Sequence, residues 1–302
     1  MTSVVGKDEL DSDDAAQVMA LAKRAAAADG VPPLSEQVLL AVRPGDRENR
    51  KHLLVHTDGL AGYAQVDLSA PAGTDAEIVV APEARRAGHG RSLVEAAASA
   101  AGSGPLRVWA HGELPAAVAF AQHLGFARTR ALWQMARPLG GSASAVPEPA
   151  LPPGVAIRTF DASTDAEAWL ELNATAFADH AEQGRMTLRD LHDRMREPWF
   201  DSAGFFIAER GDALVGFHWT KTVDETGEVY VIGVHPSEQG HGLGKALLLV
   251  GLLHLARNGL ARVTLYVEAD NAGAIALYAK LGFVHTGTDA MFTHSRDHER
   301  SS

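Results

Sequence analysis

Three short blocks of sequence occur twice along the chain, in the same order and at nearly the same spacing. Ile78–Pro82 matches Ile232–Pro236 at an offset of 154 residues, and a glycine-rich segment follows each block at that offset. Farther on, Leu124–Phe126 recurs as Leu281–Phe283 at an offset of 157 residues. Because all three blocks recur in register, the sequence predicts that one domain is present in two copies.

A segment near the middle of the chain separates the two copies. Gly140–Gly154 reads GGSASAVPEPALPPG, has no hydrophobic period, and is dominated by Gly, Ser, Ala and Pro, as is typical of a linker. It divides 302 residues into halves that each have the length of an ordinary domain. We predict an N-terminal domain over residues 1–140, a linker over 141–154 and a C-terminal domain over 155–302.

The composition narrows the class of protein. Apolar residues make up 46% of the chain, which predicts a packed core, and the formal net charge is −11. That charge disfavours nonspecific binding to nucleic acid or to an anionic membrane. The absence of cysteine excludes disulfides, thiolate metal sites and a cysteine nucleophile. With no run of 18 apolar residues, no secretory-signal pattern and no oligomerisation seam, we expect a soluble, cytoplasmic monomer.

The glycine-rich segment Gln239–Lys245 (QGHGLGK) lies between a strand-like run, Glu228–Val234, and a helix-like run, Leu243–Arg257. A glycine-rich turn that opens a helix leaves several backbone N–H groups unpaired and pointing in one direction. Together with the positive end of the helix dipole, these groups can bind a pyrophosphate. The second copy is Arg85–Gly90, which follows the strand-like run Glu77–Val80.

The spacing of these glycines excludes two common nucleotide motifs. A Walker loop needs four residues between its first glycine and Gly-Lys, whereas Gly240 and Gly244 leave three, and alanine follows Lys245. A dinucleotide fingerprint needs Gly or Ala where Lys245 stands. The pattern shared by both copies is Gln/Arg-x-x-Gly-x-Gly, beginning at Gln239 and at Arg85. This pattern resembles the acyl-CoA pyrophosphate loop of the GCN5-related N-acetyltransferases (GNAT).

Strands alternate with helices in the middle of the second half, with hairpins outside, which predicts a mixed sheet in an α/β fold. We therefore expect two tandem acetyltransferase (GNAT-like) domains, each a mixed, mostly antiparallel sheet flanked by helices. Thr164 and Thr187 are the expected helix N-caps, and turns are expected at Gly211–Asp212 and Thr226–Gly227. The predicted strands are 156–159, 205–209, 213–220, 228–234, 262–267, 283–288 and 291–293, and the predicted helices are 165–178, 188–196, 242–257 and 271–281.

Acetyl transfer to an amine needs a base for the ammonium and an acid for the departing thiolate. The acid candidate is Tyr278, because Asn271, Tyr278 and then Leu-Gly-Phe are spaced as in similar acetyltransferases, where this tyrosine protonates the CoA sulfur. The base candidate is Glu228, and strand alternation places 228, 230, 232 and 234 on one face. The alternative is that Tyr278 only packs in the core and that Glu228 is a solvated glutamate at a strand end.

The N-terminal half lacks both candidates. Ala121 stands at the position of Tyr278, and Thr74 stands at the offset position of Glu228. The loop Arg85–Gly90 persists, so this half retains the means to bind CoA but not the groups for chemistry.

Further segments resemble one family of tandem acetyltransferases, the mycothiol synthases of actinobacteria. The segments are Asp29–Gln37, Ala176–Gly184, Gly216–Lys221 and Gly227–Val231, which span both halves. That family transfers acetyl from acetyl-CoA to the cysteinyl amine of a cysteine–glucosamine–inositol conjugate, a small thiol-containing pseudodisaccharide. The resemblance implies acceptor contacts from Glu36, Glu182, Lys221, Glu228 and Tyr266.

The resemblance also implies which residues hold acetyl-CoA. In the C-terminal half they are Ile232, Gly233, Val234, Gln239, Gly240, His241, Gly242, Leu243, Gly244, Lys245, Asn271, Ala272, Gly273, Ala274, Ile275 and Ala276. In the N-terminal half they are Ile78, Val79, Val80, Arg86, Ala87, Gly88, His89, Gly90 and Arg91.

Two other functions remain compatible with the sequence. One is a tandem acetyltransferase with another amine acceptor, such as a protein N-terminus or an aminoglycoside. The other is a non-catalytic acyl-CoA sensor that uses both loops. We expect no metal site, because the spacing of His180, His218, His235 and His241 matches no metal-ligand motif.

Overall fold

The structure is a computed structural model that describes residues 3–43, 49–69, 73–140, 145–178 and 181–295, without the side chains of 181 and 182. The backbone forms two compact units, one of residues 1–132 with 287–302 and one of residues 133–286. The boundary crosses the chain twice, within the strand Ala127–Pro138 and within the strand Val284–His294. The predicted domain limits at 140 and 155 stay a prediction, and residues 141–144 of the predicted linker and His180 lie outside the described residues.

The N-terminal unit is a sheet flanked by helices. Its strands are β1 (Val4–Lys7), β2 (Arg50–His56), β3 (Leu60–Asp67), β4 (Thr74–Val80) and β5 (Leu106–Ala110), with parts of β6 (Ala127–Pro138) and β12 (Val284–His294). Its helices are α1 (Ser12–Asp29), α2 (Glu36–Val42), α3 (His89–Ala100) and α4 (Pro115–His123). Strands β1 to β5 are neighbours in chain order, followed by β12 and β6. The β4–β5 pair is parallel, whereas the β1–β2, β2–β3, β3–β4 and β12–β5 pairs are antiparallel.

The C-terminal unit repeats this arrangement. Its strands are β7 (Val155–Thr159), β8 (Phe205–Arg210), β9 (Ala213–Val223), β10 (Thr226–Val234) and β11 (Arg262–Glu268). Its helices are α5 (Ala162–Ala176), α6 (Ala181–Gly184), α7 (Leu188–Met195), α8 (Leu243–Arg257) and α9 (Ala272–Lys280). The β10–β11 pair is parallel, whereas the β7–β8, β8–β9 and β9–β10 pairs are antiparallel. The predicted mixed, mostly antiparallel sheet with flanking helices is confirmed in both units.

The two faces of the C-terminal sheet bury different side chains. On the face covered by α5, the rings of Phe205 and Trp219 stack at 4.5 Å, and Trp169 meets both edge-on. On the face covered by α8, the fully buried leucines include Leu248 and Leu252. Each such side chain contributes about 2 kcal/mol by leaving water, so the helix that follows the glycine loop is packed firmly against the sheet.

Two helix starts test the predicted caps. Thr187 caps α7 as predicted, in a reciprocal pair in which Asp190 N–H donates to Thr187 Oγ1 and Thr187 N–H donates to Asp190. Thr164 was the wrong cap for α5, which begins at Ala162. Asp161 caps it instead, because its carboxylate accepts the N–H of Ser163 at 2.9 Å.

Two predicted features of the later strands are wrong. The turn expected at Thr226–Gly227 lies earlier, at Asp224, whose φ is 51°. Gly227 is instead inside β10, where a Cβ would stand 2.9 Å from the Leu255 side chain. The absence of a side chain at Gly227 therefore permits close packing and does not mark a turn. The two predicted terminal strands are one continuous strand, β12.

A buried histidine anchors α8 to the sheet. His218 of β9 is fully buried, and its Nδ1–H donates to the carbonyl of Leu247 at 2.8 Å. The ring occupies the space beside Gly251, where any Cβ would clash with it. Burial lowers the pKa of His218 to about 4, so the neutral ring is the folded form at neutral pH.

We expect His218 to make the unfolding free energy depend on pH. Because its folded pKa lies below the ordinary value near 6.5, its contribution is complete above about pH 6.5 and is lost as the pH falls toward 4. The loss amounts to about 3 kcal/mol at pH 4, because the pKa of His218 is about 4 in the folded state and about 6.5 in the unfolded state. Urea unfolding at a series of pH values measures it. His218→Leu should flatten this part of the curve, and His56→Gln, at an exposed histidine, should leave it unchanged.

Candidate functional site

The loop between β10 and α8 has the geometry of an anion-binding turn. Gly240 and Gly242 adopt φ values of 78° and 87°, which side chains other than hydrogen disfavour. Gly242 is the N-cap of α8 and has no side chain to satisfy the first amides. The first helical hydrogen bond joins Ala246 N–H to Gly242 C=O at 3.1 Å, so the amides of 243–245 precede it and point out of the helix end.

The N-terminal loop is built in the same way. Gly88 has a φ of 90° and is the N-cap of α3. The first residue of each motif ties its loop to the strand before it, since Gln239 Nε2 donates to Val234 C=O at 3.3 Å and Arg85 Nε donates to Val80 C=O at 3.4 Å. The duplicated motif therefore corresponds to a duplicated local structure.

In each unit the two parallel strands part before the loop. Within the described residues, β10 pairs with β11 from Thr226–Arg262 to Val229–Leu265, and β4 pairs with β5 only as far as Ala76–Val108. The segments 232–234 and 78–80, predicted to hold acetyl-CoA, lie beyond those points. Their edges facing the parted strand offer backbone groups to an extended ligand, in the manner of strand addition.

A cavity of about 680 Å³ occupies this place in the N-terminal unit. Its wall includes the end of β4, the loop before α3, and Phe120 and Ala121 of α4. Every residue of this unit that was predicted to contact acetyl-CoA, apart from Ala87, lines the cavity. The predicted residues therefore converge on one space, and their role as ligands stays a prediction.

A bulge in β10 changes which residues share a face. The β9–β10 register shifts between Val229 and Val231, which places Tyr230 as the extra residue. As a result Val229 packs among the α8 leucines, whereas Val231 packs with Trp219 on the opposite face. The expectation that 228, 230, 232 and 234 share a face is wrong, because Ile232 lies with the residues on the α8 side.

The face of β10 opposite α8 brings Glu228 beside Lys221. These two residues are directly opposite each other in the antiparallel β9–β10 pair, so their side chains are neighbours on one face. The Lys221 ammonium lies 4.8 Å from the ring centre of Trp199 and 5.0 Å from that of Tyr230. Arg194 Nε donates to the Tyr230 hydroxyl at 2.8 Å. The arrangement offers a carboxylate and a cation held by aromatic rings.

Tyr278 is almost buried on α9, with 8% of its surface exposed. Burial raises the pKa of its phenol to about 12, so the hydroxyl keeps its proton at neutral pH, as an acid must.

Tyr278 and Ala121 occupy equivalent backbone positions in the two units. The Phe283 N–H donates to the Tyr278 carbonyl at 3.0 Å, and in the N-terminal unit the Phe126 N–H donates to the Ala121 carbonyl at the same distance. The predicted equivalence of Ala121 and Tyr278 is thus visible in the backbone.

The N-terminal counterpart of Glu228 is not Thr74. Because β10 has one extra residue at its bulge, whereas residues 62–67 of β3 pair with residues 75–80 of β4 without such a shift, the residue in register with Glu228 is Asp75. Its carboxylate is held by Arg107 of β5, with Nε–Oδ1 and Nη2–Oδ2 distances of 2.5 and 3.0 Å. At the place of Arg107 the C-terminal unit has Thr264. The N-terminal unit thus retains a carboxylate, but an ion pair engages it.

The remaining predicted residues lie on several elements. Asn271 caps α9 by accepting the Ala274 N–H at 3.0 Å. Tyr266 of β11 is 46% exposed, and its hydroxyl accepts from Gln134 at 3.2 Å. Glu36 is the first residue of α2 in the N-terminal unit. The side chain of Glu182 lies outside the described residues.

Sequence reasoning missed the two rings that hold Lys221 and the Asp75–Arg107 pair. Tyr230 and Lys221 lie on neighbouring predicted strands, which was a signal for their contact. The bulge that brings them together has no sequence signature.

Over the described part of the chain, no group of three His, Cys, Asp or Glu side chains is arranged to hold a metal ion. Across the same residues no helix is both long and apolar enough to cross a membrane.

Comparison with known proteins agrees with this geometry. A model of the acetyltransferase (GNAT) family matches residues 166–283, and a model of the acetyltransferase (GNAT) domain matches residues 48–128. Among solved structures, a tandem GNAT protein from the clavulanic acid biosynthesis pathway has a TM-score of 0.72 at 22% identity and covers 97% of this chain and 98% of its own. A GCN5-related N-acetyltransferase from Sphaerobacter thermophilus has a TM-score of 0.69 at 22% identity, with 96% and 95% of the two chains covered.

Curated relatives are more similar in sequence. The mycothiol acetyltransferase of Thermomonospora curvata is 51% identical over 300 residues, which cover 98% of this chain and 99% of that protein. The mycothiol acetyltransferase of Streptomyces coelicolor is 50% identical over 289 residues, with 94% and 93% covered. Since these matches extend over both units, the chain belongs to the GNAT acetyltransferase family and, within it, to the mycothiol acetyltransferases.

Proposed function

We propose that the chain transfers acetyl from acetyl-CoA to the cysteinyl amine of 1D-myo-inositol 2-(L-cysteinylamino)-2-deoxy-alpha-D-glucopyranoside, giving mycothiol and CoA. The observation that carries the proposal is a difference between the units. Both have the glycine loop beside parted strands, and among the described residues the C-terminal unit combines this loop with Glu228 and Tyr278, where the other has Asp75 and Ala121. The similarity to mycothiol acetyltransferases over both units supports this acceptor.

The amides at the start of α8 and the edge of 232–234 hold acetyl-CoA. The amides bind its pyrophosphate, and the strand edge pairs with the pantetheine arm. Asn271 fixes the first turn of α9, whose residues 272–276 complete this side of the site. The loop and 78–80 of the N-terminal unit provide a second place for the same ligand, without the groups for chemistry.

Transfer then proceeds in the C-terminal unit. Glu228 accepts a proton from the acceptor ammonium, directly or through a water, and the freed amine nitrogen attacks the thioester carbon. As the new C–N bond forms, the C–S bond breaks and the Tyr278 hydroxyl gives its proton to the CoA sulfur. Backbone N–H groups near Val234 polarise the thioester carbonyl. The nitrogen loses its second proton to solvent as the amide forms, Glu228 releases its proton to solvent, and solvent returns a proton to Tyr278.

Polar side chains recognise the acceptor. Carboxylates such as Glu36 and Glu182 suit its cationic amine, and Lys221 and the Tyr266 hydroxyl suit the many hydroxyls of the sugar and inositol. Lys221 is already held beside Glu228 by the rings of Trp199 and Tyr230, so little side-chain freedom is lost on binding. An assay with this acceptor, a peptide amine and an aminoglycoside, followed by product mass, tests the proposal.

We expect Gly242→Ala to raise the KM for acetyl-CoA about tenfold, because a methyl group at the N-cap would point into open space beside the amides that bind the pyrophosphate. Gly259→Ala is the matched control, since Gly259 has a similar φ of 79° and equally open surroundings but lies after α8. Both changes should cost about 1 kcal/mol of stability. Equal KM values for the two variants would count against the loop as the binding site.

The roles of Glu228 and Tyr278 are separable by pH. Glu228→Gln should lower kcat/KM by about 100-fold or more at neutral pH, with partial recovery above about pH 8, where a free α-amine is already deprotonated. Tyr278→Phe should lower kcat at every pH below about 11, because the phenol is protonated throughout that range. Steady-state rates with acetyl-CoA and the acceptor measure both. A double variant with wild-type turnover would refute these assignments.

A further inference from the structure

The cavity of the N-terminal unit has two ends of different chemistry. Its outer end lies at the loop before α3, where the cationic residues Arg86 and Arg91 line it and are exposed. Its inner end is lined by apolar side chains of β5, β12 and the region of α4, and it includes Val108, Ala110, Ala117, Leu124, Phe126 and Phe292. Phe126 and Phe292 are only 7% and 2% exposed. A ligand that fits this cavity is anionic at one end and apolar at the other.

The open edge of β4 sets the direction in which such a ligand runs. Within the described residues, β4 and β5 pair only as far as Ala76–Val108, and residues 78–80 lie between that pair and the loop. An extended arm that starts from a pyrophosphate at α3 and pairs with 78–80 therefore runs toward Ala76 and Val108. The thioester and the acyl group of a CoA ester thus come to the apolar inner end of the cavity.

This inner end has space where the C-terminal unit has a phenol. The ring of Tyr278 meets Phe283 edge-on, with 5.7 Å between the ring centres. The equivalent residues of the N-terminal unit are Ala121 and Phe126, and both line the cavity. Cavity space, and not a side chain, therefore lies beside Ala121. Because its surroundings are apolar, this space favours additional methylene groups on the acyl chain.

A charged cluster at the wall of the cavity disfavours acyl groups that end in a carboxylate. His111 lines the cavity, its Nε2 lies 3.1 Å from Glu77 Oε2, and its Nδ1 lies 3.1 Å from Asp289 Oδ2. Burial alone would lower the pKa of His111, but the hydrogen bonds to Asp289 and Glu77 raise it to about 10. At neutral pH one cation thus stands between two carboxylates, and both ring nitrogens are engaged. A further carboxylate buried here would meet net negative charge and gain no hydrogen bond from the ring.

We infer that the N-terminal cavity binds a CoA thioester whose acyl group is an uncharged, saturated chain of about four carbons, in preference to acetyl-CoA. The inference rests on the proposed binding of the CoA pyrophosphate by the loop before α3. The cavity is a binding site and not a second active site, because Ala121 has no proton to give to a departing thiolate. All the residues that form it belong to the N-terminal unit.

Calorimetric titration of the full chain with CoA, acetyl-CoA, butyryl-CoA and succinyl-CoA tests the inference. Butyryl-CoA should bind the N-terminal unit about tenfold more tightly than acetyl-CoA, because each further buried methylene strengthens binding roughly fourfold. Succinyl-CoA has a chain of the same length with a terminal carboxylate, and it should bind at least about tenfold more weakly than butyryl-CoA. Butyryl-CoA that binds no more tightly than acetyl-CoA, or no more tightly than succinyl-CoA, overturns the inference.

Two glycine variants assign the binding to one unit. Gly88 and Gly242 are the N-caps of α3 and α8, and both have a positive φ and open surroundings. Gly88→Ala should abolish the preference for butyryl-CoA, and Gly242→Ala should leave it intact; the reverse result overturns the inference. A wild-type protein that binds every CoA ester at a single site, weakened by Gly242→Ala alone, overturns the proposed second place for CoA and the inference with it. That outcome leaves the proposed acetyl transfer in the C-terminal unit standing.

Ala121→Phe tests where the acyl chain lies. A ring at this position fills the space beside Phe126, so the affinity of the N-terminal unit for butyryl-CoA should fall about tenfold, while that for CoA should stay within about twofold. Gln122→Phe is the matched control, since it adds the same ring at an exposed residue of α4 outside the cavity wall, and both affinities should stay unchanged. A folded Ala121→Phe protein that keeps its affinity for butyryl-CoA contradicts the inference. If thermal unfolding shows that this variant does not fold, the ligand series with the wild-type protein decides.

Discussion

The parting of two parallel strands decides where a ligand can lie in each unit. Up to Val229 the strands β10 and β11 satisfy each other's backbone groups, and beyond it they diverge. A polar edge that the sheet leaves open must find partners elsewhere. The glycine turn places the start of α8 at the end of that edge, so both can face the same ligand. Gly242, with its positive φ, allows this turn from strand to helix without a steric penalty.

One extra residue accounts for much of the difference between the units. The bulge at Tyr230 moves Val231 to the face opposite Val229 and aligns Glu228 with Asp75 rather than with Thr74. The N-terminal unit therefore did not lose its carboxylate, which Arg107 engages in an ion pair. The two units thus differ in the residue beside this carboxylate, Arg107 or Thr264, and in Tyr278 against Ala121, while both have the glycine loop and the parted strands.

The sequence predicted the features that depend on local chemistry. The two glycine loops, the Thr187 cap and the duplicated α/β architecture were recognisable because glycine, capping residues and hydrophobic periods act over a few residues. The resemblance to the mycothiol synthase family was confirmed. The sequence could not predict the bulge, since no residue type requires it, nor the contact of Lys221 with Trp199, which lies on a distant loop. It also mistook Gly227, needed for close packing against Leu255, for a turn.

The last strand of the chain has a consequence for how the protein is made. Residues 287–294 of β12 belong to the N-terminal unit, where 290–294 pair with β5. That unit is therefore incomplete until residues 287–294 have been synthesised, although most of it emerges first. During synthesis the edge of β5 stays without β12 until nearly 180 further residues, from 110 to 290, have been added to the chain. The N-terminal unit thus completes its sheet only after the C-terminal unit has been synthesised.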